Sequence, residues 1–291
     1  MNFDEQRYLD TLSYILENGE NRSDRTNTGT IAVFGTQMRF NIEETCPVLT
    51  TKKVPWKSCI HELLWFLQGD TNSKNLEKKG VNIWKQNSSR CFLDKRGLHD
   101  LDEGDIGAGY GFQWRHFGAE YDGWDKDYSG KGFDQISNLI DQIKNDPFSR
   151  RHLITSWNPC AFSKTALPPC HCFAQFYVST DKKLSCHLYQ RSVDSFLGFP
   201  WNIMSYAVLT KIIALKCDLI PNELIISTGD THIYNDHVEQ VKKQIERKPF
   251  KFPKLMISES VKQKDFSEMT IDDFCLVDYS HHDSIKANMA V

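Results

Sequence analysis

Apolar side chains recur with helical spacing in five stretches of the chain. Between residues 3 and 16, Leu9, Leu12 and Ile15 fall on one face of a helix, and Gly19 follows as a stop signal. The same spacing predicts further helices over residues 57–69, 133–147, 201–219 and 235–248.

Strand patterns interleave with these helices. Alternating or β-branched runs predict strands over residues 30–42, 150–157, 171–180, 183–193, 223–229, 255–260 and 273–279. In the first of them Ile31 and Val33 occupy odd positions, whereas Met38 and Phe40 occupy even ones. Gly35 lies between the two sets, so we expect a β-bulge there.

Helices and strands alternate without a strict βαβ rhythm. This order predicts an α/β (α+β) fold with a mixed β-sheet flanked by helices. A polar, glycine-rich region over residues 90–132 predicts long loops rather than a domain boundary. The sequence has no internal repeat and no low-complexity linker, so we expect one domain over residues 1–291.

Composition narrows the class of protein. A net charge of −3 over 291 residues gives no bulk attraction for nucleic acid or an anionic membrane. No apolar run approaches the roughly 20 residues that span a bilayer. Nine scattered cysteines without a CxxC pair suit reduced thiols. The chain starts at Met1 with neither a secretory signal nor a linker, so we expect a monofunctional cytoplasmic protein, with the nucleus as the alternative location.

The segment ALPPCHCFAQFYV holds a candidate nucleophile, Cys170. Because proline restricts its own backbone and that of the residue before it, Pro168 and Pro169 deliver this thiol on a stiff approach to a strand. Alternation would place Cys170 and Cys172 on one face and His171 on the other. A buried apolar cysteine, a zinc site, a redox pair and a cysteine hydrolase remain alternatives.

Four arginines precede or occupy predicted strands. These are Arg25, Arg150, Arg151 and Arg191, and Ser192 follows the last of them. The chain has no glycine-rich phosphate loop, so guanidinium groups would have to bind any phosphate. A surface ion pair is the alternative for each arginine alone.

Three further side chains suit proton transfer or sugar binding. Glu62 lies beside Trp65 and Phe66 on its predicted helix, where apolar surroundings would raise its pKa towards neutrality. His232 and Tyr234 share one side of an extended segment and could donate to a sugar hydroxyl. An edge carboxylate and a core His–Tyr contact are the structural alternatives.

Several motifs stand in order along nearly the whole chain. They are DRTNTGT, HELLWFLQGDTN, YGFQWRHFGAEY, DPFSRRHLI, LPPCHCFAQFYV, LSCHLYQRS, GDTHIY and a final MAV. Together they resemble the thymidylate synthase family. The insert at residues 88–104 is similar to that of its eukaryotic and large-virus branch.

The resemblance implies a reaction in which Cys170 adds to C6 of the uracil ring of dUMP. The resulting C5 nucleophile attacks the methylene of 5,10-methylenetetrahydrofolate, the C5 proton is lost, and the tetrahydrofolate ring supplies a hydride. The products are dTMP and dihydrofolate. Because the folate co-substrate supplies both carbon and reducing equivalents, the resemblance implies no metal and no nicotinamide.

The resemblance also assigns residues to roles. Catalytic residues would be Cys170, Glu62, Tyr110 and Asn202. Contacts to dUMP would come from Arg25, Arg150, Arg151, Gln190, Arg191, Ser192, Asp194, Asn202, His232 and Tyr234. Contacts to folate would come from Lys52, Ile83, Trp84, Asp194, Leu197, Ala290 and Val291. The resemblance further implies a homodimer in which Arg150 and Arg151 reach the partner's site.

The chain departs from the family pattern in three places. Ala108 and Gly109 replace Pro-Val before Tyr110, and Trp201 replaces a phenylalanine. The C-terminal segment lacks the usual prolines and carries Asn288. We expect altered folate affinity or tail dynamics from these changes rather than loss of the reaction.

Three rival functions follow from the same residues. A pyrimidine hydroxymethylase would share the nucleophile and methylene donor, but the amide of Asn202 suits uracil rather than cytosine. A cysteine hydrolase would need an oxyanion hole, for which the sequence has no signature. An RNA-binding regulator gains no support from the acidic net charge.

Overall fold

The computed structural model describes residues 2–290 of the chain. Within them, eight α-helices are α1 (Phe3–Asn18), α2 (Trp56–Leu67), α3 (Ser73–Glu77), α4 (Arg90–Lys95), α5 (Tyr110–His116), α6 (Gln135–Asn145), α7 (Gly198–Lys216) and α8 (Val238–Ile245). The strands of the same residues are β1 (Glu20–Arg22), β2 (Thr30–Asn41), β3 (Leu153–Thr155), β4 (His171–Val178), β5 (Lys183–Asp194), β6 (Ile220–Tyr234), β7 (Lys254–Ile257) and β8 (Phe274–Val277).

A six-stranded sheet carries the fold, in the order β1-β2-β6-β5-β4-β3. Adjacent strands of this sheet run antiparallel, except that β5 and β6 are parallel and joined through α7. The predicted mixed α/β architecture with flanking helices is therefore confirmed. β7 and β8 form a separate antiparallel pair.

The main core lies between one face of the sheet and its helices. α7 is apolar on nearly all sides because it packs against β5 and β6 below and α2 above. α1 covers β2 on the same face and is capped at its start by the Asn2 side chain. The opposite sheet face is left open, and Leu153, Phe173 and Tyr177 lie on it with 45%, 40% and 67% of their surface exposed.

The structure corrects the predicted bulge in β2. The pairing of β2 with β6 keeps one register from Thr30–Tyr234 to Asn41–Glu223, so no extra residue is inserted. Gly35 instead has φ +83°, which a glycine adopts without strain. Ile31 and Val33 are half-buried and pack against the main core.

Other boundaries differ from the predictions in detail. The region predicted as loops over residues 90–132 contains the short helices α4 and α5. β6 extends beyond the predicted 223–229 to Tyr234 and so includes the GDTHIY motif. α3 and β1 were not predicted because each is short. Within residues 2–290, no helix combines the length and apolarity needed to cross a membrane.

Candidate active site

A cavity of about 880 Å³ opens where α2, α5 and the start of α7 meet the N-terminal end of β4. It gathers the following predicted site residues: Lys52, Glu62, Ile83, Trp84, Tyr110, Cys170, Asp194, Leu197 and Asn202. Residues 285–289 of the C-terminal segment also line it. The cavity is large enough for a ligand of drug size or greater.

Cys170 lies immediately before β4 and is held by its backbone. Its N–H donates to the Tyr110 hydroxyl at 2.8 Å, and its carbonyl accepts from the Arg191 N–H at 2.9 Å. The Arg191 guanidinium donates to the Pro168 and Pro169 carbonyls and lies 3.8 Å from the Cys170 Sγ. The double proline thus anchors the arginine as well as the cysteine.

Burial raises the pKa of the Cys170 thiol above its ordinary value of 9.0. The positive charges of Arg191 and Arg25 oppose this increase only in part. Without substrate the thiol is therefore mostly protonated at neutral pH. A nearby base or further positive charge must supply the remaining activation.

A β-bulge at the start of β4 corrects the simple alternation predicted there. His171 pairs with Gln190 and Phe173 with Tyr189, so Cys172 is an extra residue in the ladder. As a result both His171 and Cys172 are buried, instead of pointing to opposite faces. The bulge also leaves Cys170 opposite Arg191.

His171 is unsuited to act as the base for Cys170. Its ring stacks on Tyr110 with centroids 4.2 Å apart, and its Nδ1 lies 2.7 Å from the Tyr206 hydroxyl. Burial lowers its pKa to about 3, so the imidazole stays neutral. These contacts argue against a cysteine–histidine hydrolase.

Glu62 projects from α2 into the cavity with both carboxylate oxygens occupied. The indole N–H of Trp84 donates to Oε1 and that of Trp201 donates to Oε2, each at 2.6 Å. Burial raises the pKa of Glu62 to about 7, although both hydrogen bonds lower it. A carboxyl group that titrates near neutrality can accept and return protons at working pH.

Two amide side chains form a pair beside the nucleophile. The Gln190 Nε2 donates to the Asn202 Oδ1 at 3.0 Å, which leaves the Asn202 amide nitrogen as a donor towards the cavity. Asp194 ends β5 and accepts from the N–H groups of Phe196 and Leu197, shaping the turn that leads into α7. β5 and α7 therefore position both edges of the cavity.

Of the predicted sugar and phosphate contacts, His232 and Tyr234 lie at the end of β6 and Arg25 lies before β2, and none of these three lines the cavity. Asp194 pairs with His232 across β5 and β6, and the His232 Nδ1 lies 2.8 Å from Asp230. The His232 and Tyr234 rings meet edge to face, 5.1 Å apart. Arg25 is exposed on a turn that Asp24 shapes through hydrogen bonds from Thr26 and Gly29.

Arg150 and Arg151 lie apart from this cavity. Both are exposed in the segment between α6 and β3, at the edge of the open sheet face. Neither forms an ion pair with another residue among 2–290. Neither of them lines the cavity that holds Cys170 and Glu62.

The part of the cavity that holds the predicted folate contacts is more apolar than the part around Cys170. Trp84 contacts Trp65, Phe66 and Tyr110, with ring centroids 6.0, 6.4 and 5.7 Å apart. Lys52 is buried and donates to the Phe196 carbonyl, and burial lowers its pKa to about 7. A buried lysine of this kind differs from an exposed cation for a glutamate tail, so its predicted role stays a prediction.

The C-terminal segment lies across the cavity mouth. The buried His237 places its Nε2 2.7 Å from the Asn288 carbonyl. Ala290 is half-exposed at the end of the described chain, and the predicted contact at Val291 lies outside the described residues. This segment could shield a bound ligand from water.

Comparison with known proteins decides the family. A model of the family described as thymidylate synthase matches residues 6–291. The chain belongs to the thymidylate synthase family.

Relatives of this thymidylate synthase family member differ in length. It is 49% identical to the thymidylate synthase of Saccharomyces cerevisiae over 300 residues, covering 100% of this chain and 98% of the relative. It is 49% identical to that of Candida albicans over 307 residues, covering 99% and 98%. The bifunctional dihydrofolate reductase-thymidylate synthase of Zea mays is 50% identical over 288 residues, or 99% of this chain. The chain spans about half the length of this and similar bifunctional relatives, 55% for the maize protein.

Sequence reasoning missed several residues that this thymidylate synthase family member places at the cavity. Asn87 lines it, and its Oδ1 has no hydrogen-bond partner among the described residues. The sequence offered one indication that Asn87 lies at the site, namely its position three residues after Trp84. Trp201 was noted only as a departure, and its bond to Glu62 could not be inferred because 139 residues separate the two.

Proposed function

We propose that the protein catalyses the reductive methylation of dUMP to dTMP with 5,10-methylenetetrahydrofolate, giving dihydrofolate. One observation carries the proposal. Cys170, Tyr110 and Glu62 meet at one cavity, where a thiol beside an arginine faces a carboxyl group of near-neutral pKa. Family membership supports the same reaction.

In this proposal Cys170 attacks C6 of the uracil ring. The Arg191 guanidinium beside Sγ favours the thiolate, and Tyr110 fixes the backbone that presents it. The ring then carries negative charge towards O4, which the Asn202 amide N–H stabilises. Glu62 exchanges protons with the ring while the Cys170 bond is present.

Binding contacts divide between the two ligands. Arg25, Arg191 and Ser192 hold the dUMP phosphate, Gln190 supports Asn202, and His232 and Tyr234 contact the ribose. Ile83, Trp84, Leu197, Asp194 and Lys52 hold the folate, and the segment ending at Ala290 and Val291 covers it. The folate supplies the one-carbon unit and the hydride.

We infer further that two copies form a homodimer through the open sheet face, each a single domain over residues 1–291. The exposed Leu153, Phe173 and Tyr177 support this, because a contiguous apolar face on a monomer is unusual. Arg150 and Arg151 lie at its edge and would reach the partner's phosphate site. We place the protein in the cytoplasm, or alternatively the nucleus, because its nine free cysteines suit a reducing compartment.

The reaction is tested by incubating the protein with dUMP and methylenetetrahydrofolate and separating the products. We expect dTMP and dihydrofolate in equal amounts, and no product above background from Cys170→Ala. Tetrahydrofolate with a hydroxymethylated nucleotide would instead indicate a hydroxymethylase. Full activity in Cys170→Ala would contradict the proposed nucleophile.

The shared site is tested by mixing two inactive variants. Cys170→Ala and Arg151→Ala homodimers should each be inactive or nearly so. After subunit exchange, one site of each mixed dimer holds both an intact Cys170 and an intact partner arginine, so activity should recover to about a quarter of the wild-type level for random pairing. No recovery, despite exchange confirmed by mass, would contradict the shared site.

A further inference from the structure

The Glu62 carboxylate has an unusual environment, since two indole N–H groups bind its two oxygens. We propose that Trp201 is a positioning residue for the proposed reaction, and that its indole N–H orients the Glu62 carboxylate and favours its ionised form. This inference rests on the role proposed for Glu62 in proton transfer. It adds a residue from outside the set that the motifs identified.

The two donors come from different parts of the fold. Trp84 lies in the loop after α3 and is fixed by aromatic contacts with Trp65, Phe66 and Tyr110. Trp201 lies in the first turn of α7, which packs on α2. One donor alone would leave the carboxylate free to rotate about its last bond, whereas two donors on opposite oxygens fix its plane.

The second donor also connects Glu62 to the amide beside it. Asn202 follows Trp201 directly, and its Oδ1 accepts from Gln190. The same helical turn therefore positions the proposed ring-binding amide and one side of the carboxylate. A shift of this turn would move both groups together.

Hydrogen bonding and burial act on Glu62 in opposite directions. Burial raises its pKa, and the N–H groups of Trp84 and Trp201 lower it because they stabilise negative charge. Phenylalanine at position 201 would keep the apolar surface but remove one donor. The carboxyl group would then hold its proton to higher pH.

The titration of Glu62 must be distinguished from that of other ionisable groups around it. They are Cys59 on α2, Tyr110 on α5, Cys170 and His171 at the start of β4, and Lys52, Lys53 and Asp194 across the cavity. Burial raises the pKa of Cys59, Tyr110 and Cys170 and lowers that of His171, so these four stay neutral near pH 7. Lys52, whose pKa burial lowers to about 7, is the group that could be confused with Glu62.

A direct titration separates these groups without an activity assay. The carboxyl stretching band of Glu62 is followed by infrared spectroscopy against pH, with Glu62→Gln as the blank that removes only this carboxyl group. In Trp201→Phe the midpoint should rise by about one pH unit, the size expected for one lost charged hydrogen bond. An unchanged midpoint in a variant that still folds and binds dUMP would overturn the inference.

Rescue distinguishes the N–H group from the bulk of the ring. The amide nitrogen of Trp201→Gln stands the same number of bonds from Cα as the indole nitrogen, so it can donate to Glu62. We expect the glutamine variant to return the midpoint towards the wild-type value, despite its smaller side chain. Equal midpoints in the phenylalanine and glutamine variants would assign the effect to packing and overturn the inference.

The kinetic test keeps this inference separate from the proposed function. If Glu62 moves protons, kcat should fall by 100-fold or more in Glu62→Gln, within the usual range for general acid–base groups. The pH profile of kcat in Trp201→Phe should then shift in the same direction as the infrared midpoint. The infrared midpoint of Trp201→Phe could shift while kcat of Glu62→Gln stays at the wild-type value. That result would support the contact between Trp201 and Glu62 and contradict only the proposed role of Glu62 in proton transfer.

Discussion

Glu62 is a buried carboxyl group on helix α2, and aromatic rings surround it. Its place on that helix and its aromatic neighbours were readable from the sequence, and they correctly predicted a pKa near neutrality. The two indole donors were not readable, because both are distant along the chain. The same limit applies at His171 and Cys172, whose shared burial depends on a bulge that local alternation does not reveal.

The raised pKa of Glu62 has a consequence for stability. In the unfolded chain Glu62 loses its proton near its ordinary value of 4.5, whereas in the fold it keeps the proton up to about pH 7. Between these values the folded state binds more protons, so Glu62 makes stability fall as pH rises. A difference of about 2.5 units corresponds to roughly 3 kcal/mol.

We therefore predict that the free energy of unfolding depends less on pH in Glu62→Gln than in the wild type. Relative to wild type, this variant should gain stability steadily between pH 5 and pH 7 and remain level above that. Urea denaturation at matched protein concentration measures the difference, and Glu17→Gln on the exposed face of α1 is the control. Parallel curves for wild type and Glu62→Gln would show that burial does not shift the pKa as described.

At the scale of elements, α2 and α5 approach so closely that a side chain cannot fit between them. A Cβ atom built on Gly111 would lie 2.7 Å from the Phe66 carbonyl oxygen and 2.8 Å from its Cα. This contact brings Tyr110 next to Phe66, with ring centroids 4.9 Å apart, and so places the hydroxyl that holds Cys170. Hydrophobic spacing predicted α2 and α7 well, because both bury long apolar faces. It missed α5, whose buried residues include a glycine and a glutamine.

Gly111→Ala should destabilise the protein even though alanine favours helices by about 1 kcal/mol over glycine. Overpacking against backbone cannot be relieved by a rotamer change, and we expect a net loss of about 1–3 kcal/mol. Gly198→Ala in α7 is the matched control, because its nearest neighbour would lie 3.6 Å away. Thermal unfolding of both variants checks this, and equal melting temperatures would show that α2 and α5 can separate at little cost.

On the scale of the whole molecule, the sheet has one covered face and one open face. Sequence patterns located β2 to β8 but did not predict that β3 and β4 would expose apolar side chains together. Such exposure depends on strand order, which alternation alone does not determine. The position of Arg150 and Arg151 at the edge of this face connects the proposed assembly to the proposed chemistry.

A charge on the open face should separate the subunits. Tyr177→Lys places an ammonium group where the proposed interface would bury it, so the variant should elute as a monomer and lose most of its activity. Light scattering after size-exclusion chromatography measures the mass. Tyr14→Lys, which replaces an exposed tyrosine on α1, should remain a dimer. If Tyr177→Lys remained a dimer, the proposed interface on the open sheet face would be wrong.

The bulge at the start of β4 has a consequence for comparing sequences of this family by length. If Cys172 stayed in the chain but paired regularly, without a bulge, the pairing of Phe173 with Tyr189 would continue so that Cys170 fell opposite Ser192 instead of Arg191. A chain with Cys172 deleted would have no bulge and would still place Cys170 opposite Arg191, because His171 would then directly precede Phe173 and pair with Gln190. In an alignment, a one-residue gap at position 172 is therefore compatible with the same pairing of the nucleophile, whereas an aligned residue there requires the bulge.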